Sequence, residues 1–253
     1  MKRFRKYALW LSIVALMLVL SGCTNTDPIT SESTGIWNHF FVYPFSWLIL
    51  LVAKVTFGNF GLAIILVTIM IRILILPLMI KQVKSSVAMR ALQPQMEKIR
   101  KKYKNPKDPA QAQKMQAETM ALYQKNGVNP LSGCLPALIQ MPILMAFYYA
   151  IRRTPEIASQ QFLWFGLGAP DPSLVLPVLA GLITFLQTKV TPNPAMDQNP
   201  SMKMVFYIMP VMIITAGIGL PAVLPLYWVI SGVFSVIQTY ILYKVYQKPE
   251  LAK

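Results

Sequence analysis

The chain has little of what most enzymes use. Its 253 residues include two cysteines and one histidine, so neither a disulfide framework nor a zinc site of ordinary ligand spacing can be assembled. Charge is scarce as well: 13 % of the residues are charged against 55 % hydrophobic, and only nine are acidic. That is too apolar for one soluble domain, and the apolar residues fall in long blocks, so composition leaves a polytopic membrane protein. The formal charge of +15 raises the question of nucleic acid. The basic residues, however, cluster between apolar blocks, as in cytoplasmic loops under the positive-inside rule, and direct nucleic-acid binding is not expected. His39 lies in the aromatic stretch "WNHFFVYPFSW", which suits an interfacial role rather than catalysis.

Lys2, Arg3, Arg5 and Lys6 precede an apolar run from Tyr7 to Leu20 and then "LSGC", the layout of a signal peptide over residues 1–22. The Leu-Ser-Gly-Cys box resembles the lipobox of bacterial lipoproteins, in which Cys23 carries the lipid and becomes the mature, extracellular N-terminus. Residues 23–59 then hold a polar tether and an interfacial amphipathic helix. The apolar part of that stretch is about 14 residues, carries Pro44 and stops at Lys54, too short to favour a span.

Apolar blocks at 60–80, 134–151, 174–189, 204–220 and 222–243 are candidates to cross a ~30 Å core at ~1.5 Å per residue, the third and fourth being short. Charge parity supports five spans. The segment 81–133 holds eleven Lys or Arg between Lys81 and Lys125 against Glu97, Asp108 and Glu118, and belongs in the cytoplasm. The loop 152–173, with Arg152 and Arg153, then falls outside, and the loop 190–203 and basic tail 244–253 fall inside. Within the basic segment Met89, Leu92, Met96, Ile99 and Tyr103 recur at steps of three and four, as do Ala112, Met115, Thr119 and Leu122. With "NPKDP" between them, these predict an antiparallel helical hairpin, in which Pro94 kinks the first helix or marks its first turn. Its basic surface suits an acidic partner or anionic lipids.

Arg72 stands out in "MIRILILP". It precedes Lys81 by nine residues, ~13 Å along a helix, and burying it in lipid costs roughly 2.5 to 3.5 kcal/mol on insertion scales. No Asp or Glu occurs inside any of the five blocks, so water, polar side chains, backbone carbonyls or an acid from another molecule must offset that cost. The polar residues of the spans line up: Trp228, Ser231, Ser235 and Gln238 on one face of the last, Thr184 and Gln187 in the third, Gln140 in the second, and Thr68 one turn before Arg72. Such stripes glue helices together, but beside a lone Arg they predict a shared hydrophilic cavity. Pro77 frees the carbonyl of Ile73 and predicts a bend. A cavity with one cation and no carboxylate relay, nucleophile–base pair or phosphate-cradling glycine loop is not an enzyme site and implies no cofactor. It can accept an acidic or polar peptide segment that would otherwise face hydrocarbon.

"LQPQMEKIRKKYK", "MALYQKNGVNPLSGCLPALIQMPIL", "MKMVFYIMPVMI" and "LPLYW" together resemble the YidC membrane protein insertases, over a stretch from about Trp37 to the tail. The lipobox and the absence of a large extracytoplasmic domain resemble the Gram-positive branch, including its sporulation-linked members. The resemblance implies an all-α protein of five transmembrane helices around a hydrophilic groove, with a cytoplasmic helical hairpin and an extracellular interfacial helix. It further implies Arg72 as the groove cation with Gln140, Gln187 and Trp228 facing it. It implies nascent membrane proteins as clients, and the Sec translocon, the ribosome and the signal recognition particle pathway as partners. Two other classes fit a buried Arg: a small-anion transporter, which would call for internal repeats, and a structural assembly subunit whose Arg72 pairs with an acid on a neighbouring helix.

Overall fold

A computed structural model describes residues 27–103, 108–129, 135–191 and 200–246. The expected signal peptide, the expected lipidation site at Cys23 and the tail from residue 247 lie outside the described residues.

The first helical stretch starts with a π-helical turn, Asn38–Val42, and continues as α1, Tyr43–Val55. Pro44 falls in the first turn of α1, where its missing N–H costs nothing, so it starts the helix rather than breaking it. Val42, Ser46, Ile49 and Ala53 are buried, a stripe at steps of four and three. The opposite face is not polar, as an amphipathic helix requires: Trp47, Leu51 and Val55 are exposed there. Helix 38–55 is 18 residues long, longer than its apolar block, and by length and composition it can cross a membrane. Its side-chain partners nevertheless sit at one end of the bundle. Phe45 stacks edge-on against Phe147 at 6.1 Å, and the hydroxyls of Ser46 and Thr154 hydrogen-bond at 2.7 Å.

A turn through Phe57 and Gly58 leads into α2, Phe60–Ala91, whose first turn is capped by Asn59 Oδ1 accepting from the Leu62 amide at 2.9 Å. At 32 residues and ~1.5 Å each, α2 is about 48 Å long, far more than the hydrocarbon core needs. It runs unbroken through Pro77 and continues past residue 80. The first hairpin helix of the sequence reading is therefore split: its start is the end of α2, and α3, Gln93–Lys102, begins with Pro94 in its first turn. Asp108 caps α4, Pro109–Lys125, by accepting from the Ala110 amide at 3.1 Å. Met89, Leu92, Met96, Tyr123 and Val128 form the hairpin's own small core. Lys102 and Glu118 pair across it at 2.5 Å, both exposed and contributing little.

The chain continues as α5, Leu135–Arg152, the short α6, Pro155–Ala158, a two-stranded hairpin β1, Gln161–Phe162, and β2, Phe165–Gly166, then α7, Val175–Val190, α8, Pro200–Gly219, and α9, Val223–Tyr246. The antiparallel β-hairpin pairs Gln161 with Gly166 and Phe162 with Phe165, a feature with no counterpart in the sequence reading. In the bundle α8 packs on α7, α7 on α9, α9 on α2, α2 on α1 and α1 on α5. Glycines permit the closest approaches: a Cβ on Gly181 would meet Ile214 at 2.3 Å, and one on Gly232 would meet Ile183 at 2.5 Å.

Among the described residues, three helices are long and apolar enough to cross a membrane: 38–55, 60–91 and 223–246. Three shorter apolar helices are 138–152, 175–190 and 203–219. Large apolar side chains project outward along them, including Leu62, Leu66, Ile73 and Leu74 on α2 and Val178 and Leu182 on α7. In water such a belt is untenable, and in lipid it is the expected exterior.

Candidate functional site

The largest buried cluster lies at one end of the bundle. It comprises Ile49 and Ala53 of α1, Ala63, Ile64 and Val67 from the start of α2, Phe147 and Ile151 from the end of α5, and Val223 to Tyr227, apart from Pro225, from the start of α9. Past it the packing loosens, until Met79 and Val83 of α2 and Tyr243 of α9 are buried again. No residue of α2 from Ile69 to Leu78 is buried, and none of α5 from Leu138 to Met145. Arg72 lies one turn past the last buried residue of this α2 core, where tight packing gives way to looser packing.

A chain of polar contacts marks this boundary. Arg72 Nη2 donates to Gln140 Oε1 at 3.0 Å, and Gln140 Nε2 donates to the Tyr227 hydroxyl at 2.7 Å. The Tyr227 ring, 2 % exposed, packs against Phe147 with centroids 5.0 Å apart. A cation is thus wired through an amide and a phenol to the aromatic core. The charged bond is the stronger of the two and holds the guanidinium beside the core. Arg carries five N–H donors; Gln140 takes one and the Tyr227 hydroxyl also engages the group, so donor capacity remains for water or an incoming acceptor. Of the options open to the sequence, a polar side chain is the partner that the structure supplies. The helices α2, α5, α7, α8 and α9 contain no Asp or Glu, so no internal carboxylate competes.

The other sequence-derived residues distribute unevenly. Trp228 is half-buried against the core. Thr68, 1 % exposed, turns its hydroxyl back to the Ile64 carbonyl at 2.7 Å and stands in the tightly packed part of the bundle. Thr184 likewise bonds the Ala180 carbonyl of its own helix at 2.7 Å, and buried Ser231 makes only a long contact, 3.4 Å, to the Trp228 carbonyl. Gln187, Ser235 and Gln238 are half-buried, and their side chains hydrogen-bond to none of the described residues. Tyr227 was missed. It starts the same stripe, since 227, 231, 235 and 238 follow helical spacing at least as well as 228 does, and its hydroxyl was the available signal.

A second buried cation was also missed. Arg153, 3 % exposed, donates Nε to the Asp27 carbonyl and Nη1 to Asn38 Oδ1, each at 2.7 Å, fastening the N-terminal segment to the end of α5. In the loop before α7, Asp171 accepts from the Trp164 indole, from the Ser173 amide and hydroxyl, and from the Leu176 amide. Burial pushes the Asp171 carboxyl upward, but these four bonds outweigh it and hold the group below its ordinary value. No cluster of three or more His, Cys, Asp or Glu suited to a metal occurs among the described residues.

Comparison with known proteins places this geometry. The pattern of the 60Kd inner membrane protein family matches residues 52–249. The chain is 56 % identical over 239 residues to the membrane protein insertase YidC of Alkalihalophilus pseudofirmus, covering 93 % of this chain and 94 % of that protein. It is 53 % identical over 239 residues to the membrane protein insertase MisCA of Bacillus subtilis, covering 94 % and 91 %. Among solved structures it resembles an active YidC insertase crystallised with its first transmembrane domain resolved, with a TM-score of 0.64 and 33 % identity over 82 % of this chain. The chain spans about half, 47 %, of the length of that solved protein. A profile match over most of the sequence, near full-length relatives above half identity and a shared fold agree that the chain belongs to the 60Kd inner membrane protein family, that of the YidC membrane protein insertases.

Proposed function

We propose that this chain is a membrane protein insertase that uses the loosely packed part of its bundle as a hydrophilic groove for the polar flank of a nascent membrane protein. The observation that carries the reading is the placement of Arg72, held by Gln140 just past the buried core, with no carboxylate on α2, α5, α7, α8 or α9. A permanent cation there attracts an acidic or polar segment and lowers its desolvation barrier. The adjoining apolar segment then partitions into lipid, and an outside-positive potential adds roughly 2.3 kcal/mol per acidic charge per 100 mV. No nucleotide is consumed and no bond is made, so the activity is insertion and chaperoning rather than enzymatic turnover. Gln187, Ser235, Gln238 and Trp228 line the groove in this reading, while Thr68, Thr184 and Ser231 serve helix packing.

The topology that goes with it has five spans, the core end of the bundle outside and the basic hairpin in the cytoplasm. There the hairpin meets nascent chains, the ribosome and signal recognition particle pathway, the Sec translocon or anionic lipid. The lipid on Cys23 anchors the outer end. A transporter reading lacks the repeats it requires. The test is insertion of a single-spanning client with an acidic N-terminal tail into liposomes holding purified wild type, Arg72→Lys or Arg72→Ala. Retention with Lys and loss with Ala, both folded, is expected; full insertion with Ala would remove charge attraction from the mechanism.

A further inference from the structure

Three residues other than glycine adopt left-handed backbone among those described: Phe57, φ +54°, Leu163, φ +54°, and Leu174, φ +59°. Turns in water fill such positions with Gly, Asn or Asp, which tolerate the conformation and hydrogen-bond locally. Here all three are large and apolar, and their exposures are 100 %, 71 % and 41 %. Strain and exposure at the same residue are doubly unfavourable unless the side chain has an apolar environment outside the protein.

Two of these turns flank one contact at the core end of the bundle. The ring of Phe162 lies flat on Gly61, where a Cβ would come within 2.0 Å of it, so the tip of the β-hairpin docks on the first turn of α2, four residues after Phe57. Leu163 and Trp164 form that tip, and Trp164 is 46 % exposed. The tip is braced: Trp164 Nε1 donates to Asp171 Oδ1 at 3.1 Å, and Asp171 is itself 2 % exposed and tied to the start of α7. Residues 157–170, "IASQQFLWFGLGAP", carry no charge, which is foreign to a loop bathed in water. The outward apolar face of α2 begins at the same place with Leu62 and Leu66, 41 % and 39 % exposed, and continues down the helix.

From this continuity with the lipid-facing belt we infer that the Phe57 turn and the Leu163–Trp164 tip form a rigid apolar ridge that dips into the bilayer and binds phospholipid acyl chains. The ridge seats the core end of the bundle in the leaflet it faces. The absence of charge selects acyl chains over headgroups. The inference is independent of whether the groove inserts clients.

It is tested with the full chain carrying a benzophenone amino acid at position 57, 163, 156 or 159, reconstituted in liposomes of alkyne-tagged phosphatidylcholine and irradiated. Positions 57 and 163 are expected to give several-fold more lipid adduct than Glu156 and Ser159, exposed residues beside the hairpin. Equal lipid labelling at 163 and 159 would overturn the inference. So would a protein adduct as the main product at 163 in native membranes, which would make the ridge a docking site for another protein.

Discussion

The polar chain through Gln140 makes a quantitative commitment. If Gln140 bridges Arg72 and Tyr227, the cost of removing the Tyr227 hydroxyl depends on whether Gln140 is present. Hydrogen bonds between membrane helices average about 0.6 kcal/mol in double-mutant cycles and reach about 1.7. Tyr227→Phe should therefore cost about 0.6 to 1.7 kcal/mol in the wild type, because the 2.7 Å bond to Gln140 Nε2 is lost from a residue only 2 % exposed. Gln140→Leu breaks that bond and the charged one to Arg72 at 3.0 Å. Charge-assisted bonds contribute about 1.5 to 3 kcal/mol, so a net loss of about 2 kcal/mol is expected after the gain from an apolar side chain in lipid. In the Gln140→Leu background the phenol has lost this bond and keeps only its interaction with Arg72, so Tyr227→Phe should cost less than in the wild type. The coupling energy of the cycle is the difference between the two costs. Reversible unfolding in bicelles by steric trapping measures all four proteins. Equal costs of Tyr227→Phe with and without Gln140 would refute the bridge.

Further outcomes follow from the same contacts. Asp171 keeps its carboxyl below the ordinary 3.8, so its contribution is complete above that pH and disappears as pH falls through the lower folded value. Asp171→Asn, which turns an N–H towards the Leu176 amide, should remove this acid dependence and cost about 1 to 3 kcal/mol, read by hydrogen exchange at the start of α7. Arg153→Lys cannot reach both the Asp27 carbonyl and Asn38, and should raise proteolysis of residues 27–37 several-fold in right-side-out vesicles while leaving the bundle intact. Gly181→Ala forces Ile214 and the Pro210 carbonyl away, at 2.3 and 3.0 Å from the new methyl, and should destabilise the α7–α8 contact by about 1 to 3 kcal/mol in the same unfolding assay.

Much of this protein is decided by linear pattern. The apolar blocks, the isolated Arg72 and the basic hairpin with its three- and four-residue stripes follow from side-chain chemistry and helical periodicity, which act over one or a few turns and need no partner. Pro94 at the first turn of α3 is legible for the same reason, since its effect is local. The length of α2 is not: the apolar block ends at Ile80, and the helix continues to Ala91. Nor was the apolar outer face of α1 legible, because an amphipathic helix and a lipid-covered one bury the same stripe. What only tertiary structure decided is who meets whom. Gln140 lies 68 residues from Arg72 and 87 from Tyr227, and Arg153 lies 115 from Asn38. Such contacts depend on how helices cross and how deep each sits. That is set by glycines such as Gly181 and Gly232 admitting a neighbour, and by a core gathered at one end of the bundle. The sequence supplied the cation and the polar stripe, and the packing chose Tyr227 as the residue that ties them to the core.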